Sequence, residues 1–191
     1  MKLGILALQG AFIEHVNILQ SMGVETVVAR LPSDLEDIDG LIIPGGESTT
    51  ISRLMRDFGL RQVVCDLAKK GVPIWGICAG LVLLGRDVAN SDIETLGILD
   101  IGARRNAFGR QIDSFETELE IPELGQEPFH AVFIRGPIIE QMGHGVKVLA
   151  KLSDGKPVAV RQKMVLVCAF HPELTMDVRF HECFLKMVDS G

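Results

Sequence analysis

Gly76-Ile77-Cys78-Ala79-Gly80 is the segment best suited to chemistry. An apolar run precedes it and a helix-forming run follows, which matches a G-x-nucleophile-x-G elbow with Cys in place of Ser. In such a turn the side chain stands above the carboxyl edge of a sheet, where open α/β folds bind ligands. A helix N-terminus favours thiolate over thiol, and the N–H of Ala79 is placed to hold a developing oxyanion. A tight strand–helix turn around a buried thiol would carry the same pentapeptide. The second segment is Ala169-Phe170-His171-Pro172-Glu173. A Cys nucleophile needs a base, and the base needs an orienter. A carboxylate two residues beyond an imidazole can reach back to it, and Pro172 stiffens the link. Pro and Glu also suit the first turn of a helix. Taken together, the two segments favour a triad of Cys78, His171 and Glu173.

A third segment, Pro44-Gly45-Gly46-Glu47-Ser48-Thr49-Thr50, again joins a strand-like run to a helix-like one. Gly45 and Gly46 can turn backbone N–H groups toward an anion or an oxyanion. Neither G-x-x-x-x-G-K-[ST] nor G-x-G-x-x-G is present, so a nucleotide cradle is poorly supported. Ser48 or Thr49 is the expected helix cap. Of the five His, only His171 has catalytic surroundings. His15 and His181 fall on expected helices and His130 in an expected strand, where structural roles are commoner. Glu14-His15 is no metal pair, because neighbours in sequence do not share a helix face. Arg104, Arg105 and Arg135 gain interest only if the substrate carries a carboxylate.

The elements that must position these groups follow from apolar periodicity. Residues 3–8, 24–29, 41–43 and 73–77 read as strands, and 11–22, 48–57, 60–70 and 79–84 as helices. Residues 32–39 form an acidic connector with about one helical turn. Continuous apolar strands alternating with helices indicate a doubly wound, mostly parallel sheet. The second half differs: residues 96–103, 114–121, 129–134, 146–152, 157–162 and 164–170 read as strands, several antiparallel. Gly- and Pro-containing links at 121–128, 136–145 and 153–157 join them, and a helix at 176–188 follows. The expectation is a flavodoxin-like three-layer α/β sandwich with an additional antiparallel portion, and one domain over 1–191.

Composition sets the frame. The chain has 191 residues, a formal charge of −6 and 47% hydrophobic residues. It can bury a full core without staples, and its acidic balance argues against nucleic acid as a partner. Its longest near-apolar run, residues 74–85, is far short of the ~20 residues of a membrane helix. The four Cys show no C-x-x-C pair or zinc spacing. The expectation is a cytoplasmic protein with free thiols, no metal, no cofactor and no membrane partner. Cys65, Cys168 and Cys183 read as buried packing residues.

The segments LALQGAFIEH (6–15), GLIIPGGESTT (40–50), PIWGICAGLVLL (73–84), RRNAFGRQIDSF (104–115), FIRGP (133–137) and FHPEL (170–174) carry a resemblance over essentially the whole chain. It resembles the class I, triad-type glutamine amidotransferases, and within them the glutaminase subunits of pyridoxal 5′-phosphate synthases. Gly136 departs from the Ala common in the FIR-x-P segment and leaves Arg135 in place. The resemblance implies that Cys78 attacks the side-chain amide of L-glutamine, with His171 as acid–base and Glu173 as its orienter. It implies an oxyanion hole from the N–H groups of Gly46 and Ala79. Gly46, Glu47, Ser48, Arg105, Ile134 and Arg135 become the glutamine-binding positions. It further implies a synthase partner, organised as a dodecameric core, that receives ammonia through a channel. Gln9 and the helix from Ala11 match the contact region. A stand-alone cysteine hydrolase and a non-catalytic flavodoxin-like binding protein are the competing classes.

Overall fold

The apolar runs of the first half become the inner strands of one sheet. The computed structural model describes residues 1–105 and 114–191. Its elements are β1 (Lys2–Leu6), α1 (Phe12–Ser21), β2 (Glu25–Ala29), β3 (Gly40–Ile43), α2 (Ser48–Asp57), α3 (Leu60–Lys69), β4 (Ile74–Ile77) and α4 (Ala79–Leu84). There follow β5 (Gly85–Val88), β6 (Leu99–Arg104), β7 (Ser114–Leu119), β8 (Phe129–Ile134), β9 (Ile138–Met142), β10 (Lys147–Lys151), β11 (Pro157–Gln162), β12 (Val165–Cys168) and α5 (Arg179–Asp189).

Seven strands form the main sheet in the order β10-β11-β12-β4-β3-β1-β2. The pairs from β12 to β2 are parallel, and β10–β11 and β11–β12 are antiparallel. The expected mostly parallel sheet with an antiparallel portion from the second half is therefore present. Every residue of β3, β4 and β12 is buried, as continuous apolar strands covered on both faces should be. On β4 the side chain of Trp75 meets Phe180 and Phe184 of α5 and the ring of His15 on α1. Gly76, next in sequence, faces the other way, against Gly80 and Leu84 of α4. Helices thus cover both faces, which makes the three layers.

Four differences from the sequence reading have identifiable causes. The strand expected from 96 begins at Leu99, because Gly97 sits at φ 64° and turns the chain. β9 lies inside the expected link 136–145. Its short run is flanked by Gly and Pro, and pairing with β6 is what makes it a strand. The last helix starts at Arg179, not at 176; the Asp177 carboxylate accepts the Arg179 N–H and holds the preceding turn outside the helix. Short β5 was also not expected; it pairs with β6 despite its two central charged residues. The segment 106–113, within one of the resembling stretches, lies outside the described residues.

Candidate active site

Sheet order explains why the three chemistry-bearing segments meet. β4 lies between β3 and β12, parallel to both. The Gly45-Gly46 loop after β3, the Cys78 turn after β4 and His171 after β12 therefore emerge side by side at one carboxyl edge.

Cys78 occupies the junction of β4 and α4 at φ 47° and ψ −95°. A non-glycine residue there stores roughly 1–3 kcal/mol of strain, which the surroundings must hold. The flanking glycines are required by close approach. A Cβ on Gly80 would stand 2.2 Å from the Ile43 carbonyl oxygen, and one on Gly76 would stand 2.7 Å from that of Gly80. The Cys78 N–H donates to the Cys168 carbonyl at 2.8 Å, tying the elbow to the neighbouring strand. Ala79 begins α4, so its N–H is among those a helix leaves without an intrahelical partner.

His171 is anchored by its N–H, which donates to Val132 of β8 at 2.8 Å. Its Nδ1 lies 2.6 Å from Oε1 of Glu173. A carboxylate can only accept, so Nδ1 carries the proton and Nε2 is left for Cys78. Burial works against an imidazolium here. Contacts to Cys78 and Glu173 overrule it, and the His171 pKa rises to about 10. Glu173 is buried behind the imidazole and away from the pocket.

The pocket above the elbow holds about 410 Å³, within the range of small-molecule sites. Gln9, Gly46, Glu47, Ser48, Cys78, Ala79, Arg105, Ile134, Arg135 and His171 all line it, with Val82 and Pro137. Of the residues the resemblance placed at the site, only Glu173 does not border this cavity, and Arg104 instead pairs with Glu140 at 2.9 Å. Glu47, not Ser48 or Thr49, caps α2. Its longer side chain accepts from the N–H groups of Thr49 at 3.1 Å and Thr50 at 2.7 Å. Partial burial pushes its pKa up, but these donors bring it down to about 2. The Arg105 guanidinium donates to Glu47 at 2.9 Å and to the Thr49 hydroxyl at 3.1 Å. Opposite charges therefore stand together at the pocket wall. The Glu47 N–H donates to Oε1 of Gln9 at 2.6 Å, which joins the loop before α1 to the Gly46 loop. Cys78 Sγ also lies 3.9 Å from the Ile134 carbonyl, and Arg135 has the unusual φ of 46°.

Sequence spacing missed two residues beside the triad. His15 and His181 are fully buried, with His15 Nδ1 3.0 Å from His181 Nε2. His15 Nε2 lies 3.5 Å from Oε2 of Glu173. They are 166 positions apart, and no periodic pattern links them. His130 instead sits on an exposed face between Glu118 and Glu116. All four Cys are free; Cys168 is buried, but Cys65 and Cys183, on helices α3 and α5, are only half-buried.

A thiol on a strained strand–helix turn, contacted by a His whose second nitrogen is held by a buried Glu, is the arrangement of a triad-type cysteine hydrolase. The comparisons narrow that class. The chain belongs to the SNO glutamine amidotransferase family, whose model matches residues 5–190. It is 56% identical over 190 residues to "Pyridoxal 5'-phosphate synthase subunit PdxT" of Herpetosiphon aurantiacus, covering 98% of this chain and 100% of that one. The protein of the same name from Moorella thermoacetica is 55% identical over 188 residues, covering 98% and 100%. A crystal structure described as a glutamine amidotransferase superposes with a TM-score of 0.92 at 44% identity, covering 98% of each chain.

Proposed function

We propose that the chain hydrolyses L-glutamine to L-glutamate and ammonia through a glutamyl thioester on Cys78. The ammonia goes to the synthase subunit of a pyridoxal 5′-phosphate synthase. The observation that carries this reading is the meeting of Cys78, His171 and the Glu47–Arg105 pair around one pocket. His171 Nε2 takes the Cys78 thiol proton as the sulfur adds to the side-chain amide carbon, and the carbonyl oxygen becomes an oxyanion held by the N–H groups of Gly46 and Ala79. One such donor is typically worth about 2.7–4 kcal/mol. The His171 imidazolium then protonates the amide nitrogen, the C–N bond breaks and ammonia leaves. Water adds to the thioester as His171 takes its proton, and the Cys78 thiolate departs from glutamate. Glu173 holds the Nδ1 proton throughout, so Nε2 always faces the reacting atoms.

The α-amino and α-carboxylate groups of glutamine match the opposite charges of Glu47 and Arg105. Ser48, Arg135 and the Ile134 backbone complete the grip. Gln9 couples this loop to the segment before α1, where the synthase docks on its dodecameric core. Residues 1–191 act as one glutaminase domain. The working compartment is the cytoplasm, where a catalytic thiol stays reduced. Among the described residues no helix is long and apolar enough to cross a membrane.

The test measures ammonia release from glutamine by wild type and Cys78→Ala, with and without the synthase subunit. Wild type releases ammonia most rapidly in the complex, and the variant releases none while keeping its fold. Undiminished release by Cys78→Ala would end this reading.

A further inference from the structure

Glu173 uses only one of its carboxylate oxygens on His171. Oε1 is 2.6 Å from His171 Nδ1, while Oε2 is buried and points to His15 Nε2 at 3.5 Å. Glu173 Oε2, His15 Nε2 and His181 Nδ1 are all buried without a hydrogen bond of ordinary length. A buried carboxylate oxygen is expensive unless a donor faces it. The nearest candidate is the His15 ring, which is fixed in place. It packs edge-on to Trp75 with centroids 5.6 Å apart, and its Nδ1 is engaged by His181 at 3.0 Å.

Two neutral tautomer patterns satisfy the His15–His181 contact. In the first, His15 Nδ1–H donates to His181, and a bare His15 Nε2 lone pair faces the Glu173 carboxylate. Lone pair against lone pair is repulsive. In the second, His181 Nε2–H donates to His15 Nδ1, and His15 Nε2–H points at Glu173 Oε2. Only the second places a proton between the imidazole and the carboxylate. The geometry points to His15, oriented by His181, as a positioning residue of the triad that donates Nε2–H to Glu173 Oε2. The inference rests on the glutaminase reading above.

The consequence is a relay four residues long behind the sulfur: His181 to His15, His15 to Glu173, and Glu173 to His171. Burial keeps both added imidazoles neutral. His15 is held well below its ordinary value by desolvation and then by the neighbouring His181 and His171, and His181 falls to about 4 by desolvation. They therefore add a donor without adding a charge that would compete with His171 for the carboxylate. The other titratable groups facing this cluster are Cys78, on the elbow, and Cys168, at the end of β12. Burial pushes the Cys168 thiol well up, and so keeps it protonated. With Oε2 satisfied, Glu173 stays in one orientation while His171 gains and loses its proton.

The test compares His15→Gln with His15→Asn in the full chain bound to the synthase subunit, with glutamine as substrate. The Gln amide nitrogen falls where Nε2 stood and still donates to Glu173. The Asn amide falls where Nδ1 stood and does not reach it. His15→Asn lowers kcat roughly 100-fold with little change in KM, as expected for misplacement of the base. It also shifts the pH profile of kcat/KM, because the carboxylate that holds His171 Nδ1 is no longer fixed in place. His15→Gln recovers most of both losses. Equal losses in the two variants, or unchanged pH profiles, would overturn the inference and leave the imidazole pair as core filling. Wild type that releases no ammonia in the complex, or Cys78→Ala that still does, would instead overturn the glutaminase reading.

A measurement on the wild-type chain needs no variant to fold. Nuclear magnetic resonance of isotope-labelled histidine reads the tautomers directly. His15 and His181 are expected as Nε2–H tautomers, and an Nδ1–H tautomer at His15 would overturn the inference.

Discussion

Gly45→Ala is expected to disable the site by crowding the His171 imidazole. A Cβ built on Gly45 lies 2.4 Å from Cε1 of His171 and 3.0 Å from Nδ1. Carbon atoms prefer separations of about 3.5–4.0 Å, so the imidazole must retreat by roughly 1 Å. It has no room to do so toward Glu173, which is buried and already 2.6 Å from Nδ1. The ring must give up its alignment with either Glu173 or Cys78. A displacement of about 1 Å in a reacting group can cost about 100-fold, which is roughly 2.7 kcal/mol in the barrier. Overpacking should cost about 1–3 kcal/mol of stability as well. The assay is ammonia release in the complex with the synthase subunit, with urea unfolding of the free chain in parallel. Gly23→Ala serves as the control. That residue sits at φ 77° with nothing near its missing Cβ, so the variant loses stability but keeps activity. A Gly45→Ala enzyme with wild-type kcat would refute the placement of His171 against this loop.

Other expectations follow from the same contacts. Glu173→Gln should keep the fold and lower kcat by about 10⁴-fold, as when the orienting carboxylate of other triads becomes an amide; a small effect would show that Glu173 does not set the tautomer of His171. Arg105→Met should raise KM for glutamine roughly 10–100-fold, the worth of one charged hydrogen bond at about 1.5–3 kcal/mol, and leave kcat nearly unchanged. Stability should fall in mild acid. The folded His181 pKa of about 4 lies below its ordinary value, so the unfolded chain takes up a proton first as pH drops below about 6.5. Stability from this group is complete above that value and lost progressively down to about 4, with about 2 kcal/mol gone at pH 5. His15 adds in the same direction. Urea unfolding of His181→Phe should show a correspondingly flatter dependence on pH, and an unchanged slope would contradict the burial argument.

The parts of the site legible in the sequence are those that local physics dictates. Cys78 needed glycines at 76 and 80 because α4 packs against β4 and the end of β3, and that need is written in five adjacent residues. His171 and Glu173 were legible because a carboxylate two residues beyond an imidazole can reach back to it, as this one does. Glu47 was expected at the binding site only by resemblance; its capping role was missed because Ser and Thr are the commoner caps. His15 and His181 were not legible as partners. Their contact is made by α1 and α5 packing over Trp75, which only the folded sheet brings about. β9 escaped for a related reason: its pairing with β6, not its composition, makes it a strand.

Every step of the proposed reaction passes through a glutamyl group on Cys78. Acid quenching of the complex during turnover with glutamine, followed by mass spectrometry of its peptides, tests this most directly. A glutamyl adduct is expected on the peptide containing Cys78 and none in Cys78→Ala. Ammonia production with no adduct at Cys78, or with an adduct on Cys65, Cys168 or Cys183, would contradict it.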